Sequence, residues 1–462
     1  MSAPRLVVVS NRVPLPTERG PRAGGLAVAL ADALRPGALW FGWSGRRAAR
    51  PASTPTEAVG GDGVAYATID LSETEYRLYY SGFSNNVLWP LLHFRLGLVH
   101  YRDEEYHAWR AVNDRFAAAL APLLRPDDLI WVHDYHLIPL GEALRARGVT
   151  QRLGFFLHTP FPPPEVLRAL PRAEQVLAAL AAYDVVGFHT EEYRDSFLRA
   201  ATDILGLAVA GPVVSLGGRQ ARAEAVPIGI DAAGFAAAAS AAAAGSELRR
   251  LRASLAGRAL AIGVDRLDYS KGLPQRLDGF ARLLARHPEH RRRVSFLQVA
   301  ARSREDVAEY RALRVELDRI VGEIIGHYSE FDWVPLRYMT RPLRRETLAG
   351  FYRAAAMAVV TPLRDGMNLV AKEYVAAQDP ADPGVLILSR FAGAAAELGA
   401  ALLVNPYDPD EIAAAMHAAL TMRHEERQAR HRALAAAVFS ATAEQFCARF
   451  LAALGGGAGA AG

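Results

Sequence analysis

A chain of 462 residues exceeds one ordinary hydrophobic core, and 51% hydrophobic with 22% charged residues is the composition of a folded globular protein, not a disordered one. A formal charge of +4, much of it dispersed arginine without a basic run interleaved with aromatics, argues against nucleic acid and leaves a solvated surface or attraction to small anions. The single cysteine, Cys447, excludes an intramolecular disulfide and a cysteine metal cluster, and no window approaches the roughly 20 apolar residues that span a bilayer.

The chain enters an apolar run directly from Met1 to Asn11, without the charged start, long apolar stretch and cleavage site of a signal peptide, so a cytoplasmic location is expected. Short apolar runs then predict strands at Leu6–Val9, Leu129–Val132, Leu153–Leu157 and Val185–Phe188. Further runs fall at Leu260–Val264, Val294–Val299, Met357–Val360, Val385–Leu388 and Ala401–Val404. Most are continuous, not alternating, which suits parallel strands covered on both faces. Helical patterns lie between them, as at Arg172–Ala182 and Asp410–Met422, and βα alternation predicts doubly wound α/β layers. The Ala-rich tract Asp231–Ser246 marks either a domain junction or a helix opening a second domain. Domains are expected at 1–235 and 236–440, with a C-terminal helix at 441–454 returning to the first domain and a flexible tail at 455–462.

Ligands of doubly wound sheets bind beyond the carboxyl ends of the strands, so chemistry is sought there. After the first strand, Arg12 is placed to grip an anion or to lie in solvent, and Gly24-Gly25 before a helical pattern allow close backbone approach to a phosphate or sugar. Trp131-Val132-His133-Asp134-Tyr135-His136 follows the next strand; its two histidines lack a clear third metal ligand, and Asp134 accepts either sugar hydroxyls or its own backbone. His158 is fixed by the Pro-dense loop Thr159–Glu165. Arg266 and Lys271 flank a turn that opens a helix, either as a diphosphate clamp or as solvated cations. Thr361–Leu369 runs through a Gly turn into Val370-Ala371-Lys372-Glu373, where first-turn N–H groups suit a phosphate and Glu373, one turn on, suits a ribose diol.

Phe83–Pro90 (FSNNVLWP), Trp131–His136 (WVHDYH), Arg266–Leu273 (RLDYSKGL) and Thr361–Gln378 (TPLRDGMNLVAKEYVAAQ), in this order, closely resemble the trehalose-6-phosphate synthase family, from about Arg5 to about Leu451. The resemblance implies a GT-B glycosyltransferase: α/β, with two Rossmann-like domains facing a central cleft. It implies transfer of glucose from a nucleotide-glucose, UDP-glucose by default, to glucose 6-phosphate with retention of configuration. It implies neither metal nor cofactor, small-molecule partners only, no membrane, and self-association left open. By motif, Arg12, Tyr80, Trp89, Asp134 and Arg304 surround glucose 6-phosphate, with Arg12, Tyr80 and Arg304 on its phosphate. Gly24, Gly25, Arg266, Lys271, Leu343, Leu369, Val370, Ala371, Lys372 and Glu373 bind the nucleotide-sugar. Asp365 and His158 sit near the donor glucose, so that Arg266, Lys271, Asp365 and His158 form the catalytic set. A double-displacement mechanism needs a pair of carboxylates that these motifs do not supply, whereas a same-face mechanism needs mainly positioning and stabilisation of the departing phosphate. The rival readings are a glucosylglycerol-phosphate synthase, a pseudo-glycosyltransferase acting on cyclitols, and a catalytically silent sugar-phosphate sensor.

Overall fold

In a computed structural model, residues 4–16, 34–304 and 307–456 are described. Gly24 and Gly25 lie outside them, as do Glu305, Asp306 and the last six residues. The described residues up to Ile228, joined by those from Ala443 onward, form one compact unit, and Gly229–Thr442 forms the other. The units part at Ile228/Gly229 and Thr442/Ala443, against the expected 235/236 and 440/441.

The first unit is built on a ten-stranded sheet in the order β3-β4-β2-β1-β5-β6-β7-β10-β9-β8. In chain order the strands are β1 (Leu6–Arg12), β2 (Leu39–Arg47), β3 (Thr56–Val59), β4 (Ala65–Leu71), β5 (Leu129–His133), β6 (Arg152–Phe156), β7 (Val185–Phe188), β8 (Ala208–Ala210), β9 (Val213–Leu216) and β10 (Arg219–Ala225). The central pairings are parallel, and the continuous apolar run of β1 is covered on both faces: Val7, Val8 and Val9 have no exposed surface. The edges are antiparallel, with exposed β3 on one side and β8 on the other, each only three or four residues long, so little strand edge is left open.

β2 escapes the sequence reading because LWFGWSGRR mixes glycine with tryptophan. Its packing explains the glycine: a Cβ on Gly42 would stand 2.0 Å from the Ser10 carbonyl oxygen. Trp40 Nε1 donates to Ser10 Oγ at 2.8 Å across the same contact.

The second unit holds a six-stranded sheet in the order β13-β12-β11-β14-β15-β16, parallel throughout. These strands are β11 (Ala259–Arg266), β12 (Val294–Ala301), β13 (Leu336–Met339), β14 (Met357–Val360), β15 (Val385–Ser389) and β16 (Leu402–Val404). The Ala-rich tract is a helix, Ala232–Ala242, whose N-cap Asp231 accepts from Gly234 N, so Ala propensity and a cap decide it.

The last helix, here α1 (Ala443–Leu454), packs on β6 and β7. Its Phe450 ring stacks on Trp131 at 4.7 Å, and a Cβ on Gly154 would meet it at 2.8 Å. Arg152 Nε donates to the Leu454 carbonyl at 2.9 Å and so caps its C-terminus. Among the described residues no helix is long and apolar enough to cross a membrane.

Candidate active site

In the first unit the candidate residues gather at the carboxyl ends of β1, β5 and β6, which are neighbours. Arg12 ends β1 and lies over Gly45, at φ +83, where a Cβ would come within 2.0 Å of the guanidinium Nε. Gly45 therefore provides both the backbone conformation and the room for Arg12. Tyr80 lies on a π-helix, Tyr76–Leu88, that carries most of the FSNNVLWP motif. Its ring stacks on His136 at 5.7 Å and meets Trp43, the register partner of Arg12, at 5.8 Å. Tyr79 Oη donates to Asn11 Oδ1 at 2.6 Å, which locks the π-helix to the end of β1. Asn85 accepts from Tyr135 Oη at 2.9 Å and donates to the Tyr80 carbonyl at 2.7 Å. A π-helix places these side chains on a face that α-helical spacing does not, and such segments concentrate at functional sites. Trp89, just beyond it, is buried, its ring 5.7 Å from that of Tyr135.

Asp134 is held at φ 75, a conformation that few non-glycine residues adopt. Its N–H donates to the Phe156 carbonyl at 2.8 Å, and its carboxylate accepts from His158 N at 3.3 Å. Asp134 and His158 are thus brought together. His158 Nε2 lies 3.0 Å from His133 Nδ1, and its ring is 5.2 Å from that of His189. Burial, reinforced by neighbouring imidazoles, holds His133 and His158 well below the usual histidine range, so both are neutral at pH 7. His158 accordingly acts as a neutral hydrogen-bonding group and not as a standing cation.

In the second unit the candidates follow β11, β12 and β14, three adjacent strands. Lys271 Nζ lies 2.5 Å from Asp365 Oδ2, and Asn368 Nδ2 donates to the same oxygen at 3.0 Å. Asn368, at φ 81, caps helix α2 (Leu369–Ala377) by accepting from Ala371 N at 3.3 Å. The loops are pinned to one another: Leu363 N donates to the Ser270 carbonyl at 2.7 Å, and Gly272, at φ +63, sits where a Cβ would strike the Thr361 oxygen at 2.2 Å.

Beneath this pair lies a buried polar layer. Arg276, with no exposed surface, donates to Asp265 Oδ2 at 2.6 Å, Gln298 Oε1 at 3.1 Å, Thr361 Oγ1 at 3.1 Å and the Lys271 carbonyl at 3.3 Å. One guanidinium therefore ties β11, β12 and the exit of β14 to the Lys271 turn. Arg266, at the end of β11, is exposed. Arg304, at φ 50, donates to Tyr310 Oη at 2.5 Å and lies 3.5 Å from the fully buried Asp268 carboxylate. Tyr310 Oη in turn donates to Asp268 at 3.1 Å.

Leu369 and Val370 offer the first-turn N–H groups of α2. Lys372 is buried, and its Nζ is 2.6 Å from Glu397 Oε2, so its side chain faces the protein and not a ligand. Glu373 is half-buried, and desolvation pushes its carboxyl up to about 7, against the pull of Arg345. Leu343 is half-buried in the loop between β13 and the helix Arg345–Ala354 that carries Arg345. Each unit's residues thus form a cluster of their own, with Arg304 in the second unit and the other four residues expected at the acceptor in the first.

A model of glycosyltransferase family 20 matches residues 4–455. The chain belongs to glycosyltransferase family 20. It is 47% identical over 451 residues, 97% of each chain, to a trehalose-6-phosphate synthase of Sinorhizobium fredii. Among solved structures it is similar to a UDP-forming alpha,alpha-trehalose-phosphate synthase of Burkholderia xenovorans in complex with glucose-6-phosphate, with a TM-score of 0.93, 45% identity and coverage of 97% and 100%. An Escherichia coli structure bound with UDP-2-fluoro glucose gives a TM-score of 0.92 at 44% identity, covering 97% and 98%. This family-20 chain has the GT-B fold and is a glycosyltransferase.

The family-20 site contains supports that the motifs alone do not reveal. Arg276, Asp268, Tyr310 and Gln298 are tertiary partners drawn from separated segments. A signal existed for one: Asp268 stands inside RLDYSKGL, and its N-cap geometry, accepting from Ser270 N at 3.0 Å, fits a turn-forming Asp.

Proposed function

We propose that this chain transfers glucose from UDP-glucose to glucose 6-phosphate with retention, giving alpha,alpha-trehalose 6-phosphate and UDP. The observation that carries the reading is the Lys271–Asp365 pair, seated over buried Arg276 at the carboxyl ends of β11 and β14. Similarity across nearly the whole chain to synthases with glucose-6-phosphate or a UDP-glucose analogue bound supports it.

Arg266 and Lys271 are assigned to the diphosphate, with first-turn N–H groups of Leu369 and Val370 beside it and Glu373 on the ribose. Arg12, Tyr80, Trp89, Asp134 and Arg304 are assigned to glucose 6-phosphate. The bond from the glucose C1 to the diphosphate oxygen breaks as the acceptor's C1 hydroxyl oxygen attacks from the same face. The hydroxyl proton passes to the departing oxygen, whose growing charge Arg266 and Lys271 stabilise. Asp365, bonded to Lys271 and Asn368, orients the donor glucose, and neutral His158 hydrogen-bonds near it. The reading gives no metal or cofactor a part in the transfer.

The test is a substrate matrix: UDP-, ADP- and GDP-glucose against glucose 6-phosphate and glycerol 3-phosphate, with the product identified by mass and NMR. Trehalose 6-phosphate formed fastest from UDP-glucose is expected. A glycerol-linked product, or glucose 6-phosphate binding without nucleotide release, overturns the reading.

A further inference from the structure

The second unit carries a second cluster of ligating side chains at the amino ends of its strands. Helix α3 (Leu273–Arg286) ends at His287-Pro288-Glu289-His290, a tight turn in which His290 N donates to the His287 carbonyl at 3.0 Å. That turn leads into the amino end of β12, whereas Lys271 and Asp365 follow the carboxyl ends. His417, on helix α4 (Pro409–Thr421), reaches the same point.

The ligating atoms of His287, Glu289 and His417 all lie within 4.8 Å of one another. His287 Nδ1 is 3.1 Å and His417 Nδ1 3.9 Å from Glu289 Oε1. The rings of His287 and His417 stack at 3.8 Å, and His290 Nε2, largely buried, is 2.9 Å from His417 Nδ1. A four-coordinate cation with bonds of about 2.0–2.1 Å sets its ligands about 3.4 Å apart, a spacing that the two His–Glu distances bracket, while the stacked imidazoles must turn apart to bring both lone pairs onto one ion.

We propose that His287, Glu289 and His417 bind one late first-row divalent cation, with zinc as the reference ion. Two imidazoles and a carboxylate suit such ions over magnesium or calcium, which prefer all-oxygen shells. The ion would clip the end of α3 to α4 and would stand apart from the transfer chemistry.

The experiment uses the untagged full chain, titrated with Zn2+ and, in parallel, with Co2+. Expected are one saturable equivalent, visible Co2+ bands of a low-coordinate site and a rise in Tm with Zn2+. His287→Gln and His417→Gln should each weaken binding by roughly tenfold or more and abolish the Tm rise, with glucosyl transfer unchanged. Absence of saturable binding, or undiminished binding in both variants, overturns the proposal. Where a variant fails to fold, the parent's Co2+ form decides through paramagnetically shifted imidazole resonances: two or more support the site, and none overturns it.

Discussion

At the scale of single residues, Lys271 and Arg276 divide the labour. Arg276 is fully enclosed and holds backbone and polar partners, while Lys271 stands at the surface of that layer with its ammonium on Asp365. Removing a donor aimed at developing charge lowers turnover by about 10²–10³, so Lys271→Ala is expected to lose that much in kcat. An unchanged rate in initial-velocity assays removes Lys271 from the chemistry. Arg304→Ala is expected to raise KM for glucose 6-phosphate while leaving nucleotide affinity nearly intact; equal loss of both moves Arg304 out of the acceptor site. Glu373 gives a pH signature. Its carboxyl, pushed up to about 7, holds its proton more tightly in the folded chain than in the unfolded one. Its stabilising contribution is therefore complete below the unfolded value of about 4.3 and is lost as pH rises through 7. Glu373→Gln should raise Tm at about pH 8, with the gain shrinking toward about pH 5. A gain independent of pH assigns the shift elsewhere.

At the scale of elements, the continuous apolar strands were legible because burial on both faces leaves no alternation to misread, as in Val7–Val9 and Met357–Val360. β2 was not, because its glycines answer to a neighbouring backbone and to Arg12, contacts that no local propensity records. Nor was the π-helix Tyr76–Leu88, whose composition reads as ordinary helix while its hydrogen-bond register is fixed by Asn11, Tyr135 and the chain beyond. The C-terminal helix α1 belongs to the site's foundations. Phe446 lies 4.8 Å from Phe156, the last residue of β6, two before His158, and Phe450 fills the space left by Gly154 and Gly187. Phe450→Ala, at a position with no exposed surface, should cost about 3–5 kcal/mol in denaturant unfolding. A change under about 1 kcal/mol would show that the helix docks by other contacts.

At the scale of the whole chain, ligand sites in such sheets follow strand ends, and five of the candidate segments were placed there from the sequence and do follow strands. The side-chain supports were not readable: Asp268 and Arg276 on one turn and helix, Gln298 on β12 and Tyr310 on the helix Ala308–Tyr328 come from three stretches, and only folding joins them. Positive φ at Asp134, Arg304 and Asn368 sets loops of the candidate site in a conformation that sequence leaves silent, because none of the three is glycine. The direct test of glucosyl transfer is proton NMR of the purified enzyme turning over UDP-glucose in the presence of glucose 6-phosphate. The account predicts UDP release that depends on glucose 6-phosphate and one disaccharide phosphate with both anomeric carbons in the alpha configuration. A beta-configured donor residue, or UDP release that glucose 6-phosphate does not stimulate, would contradict it.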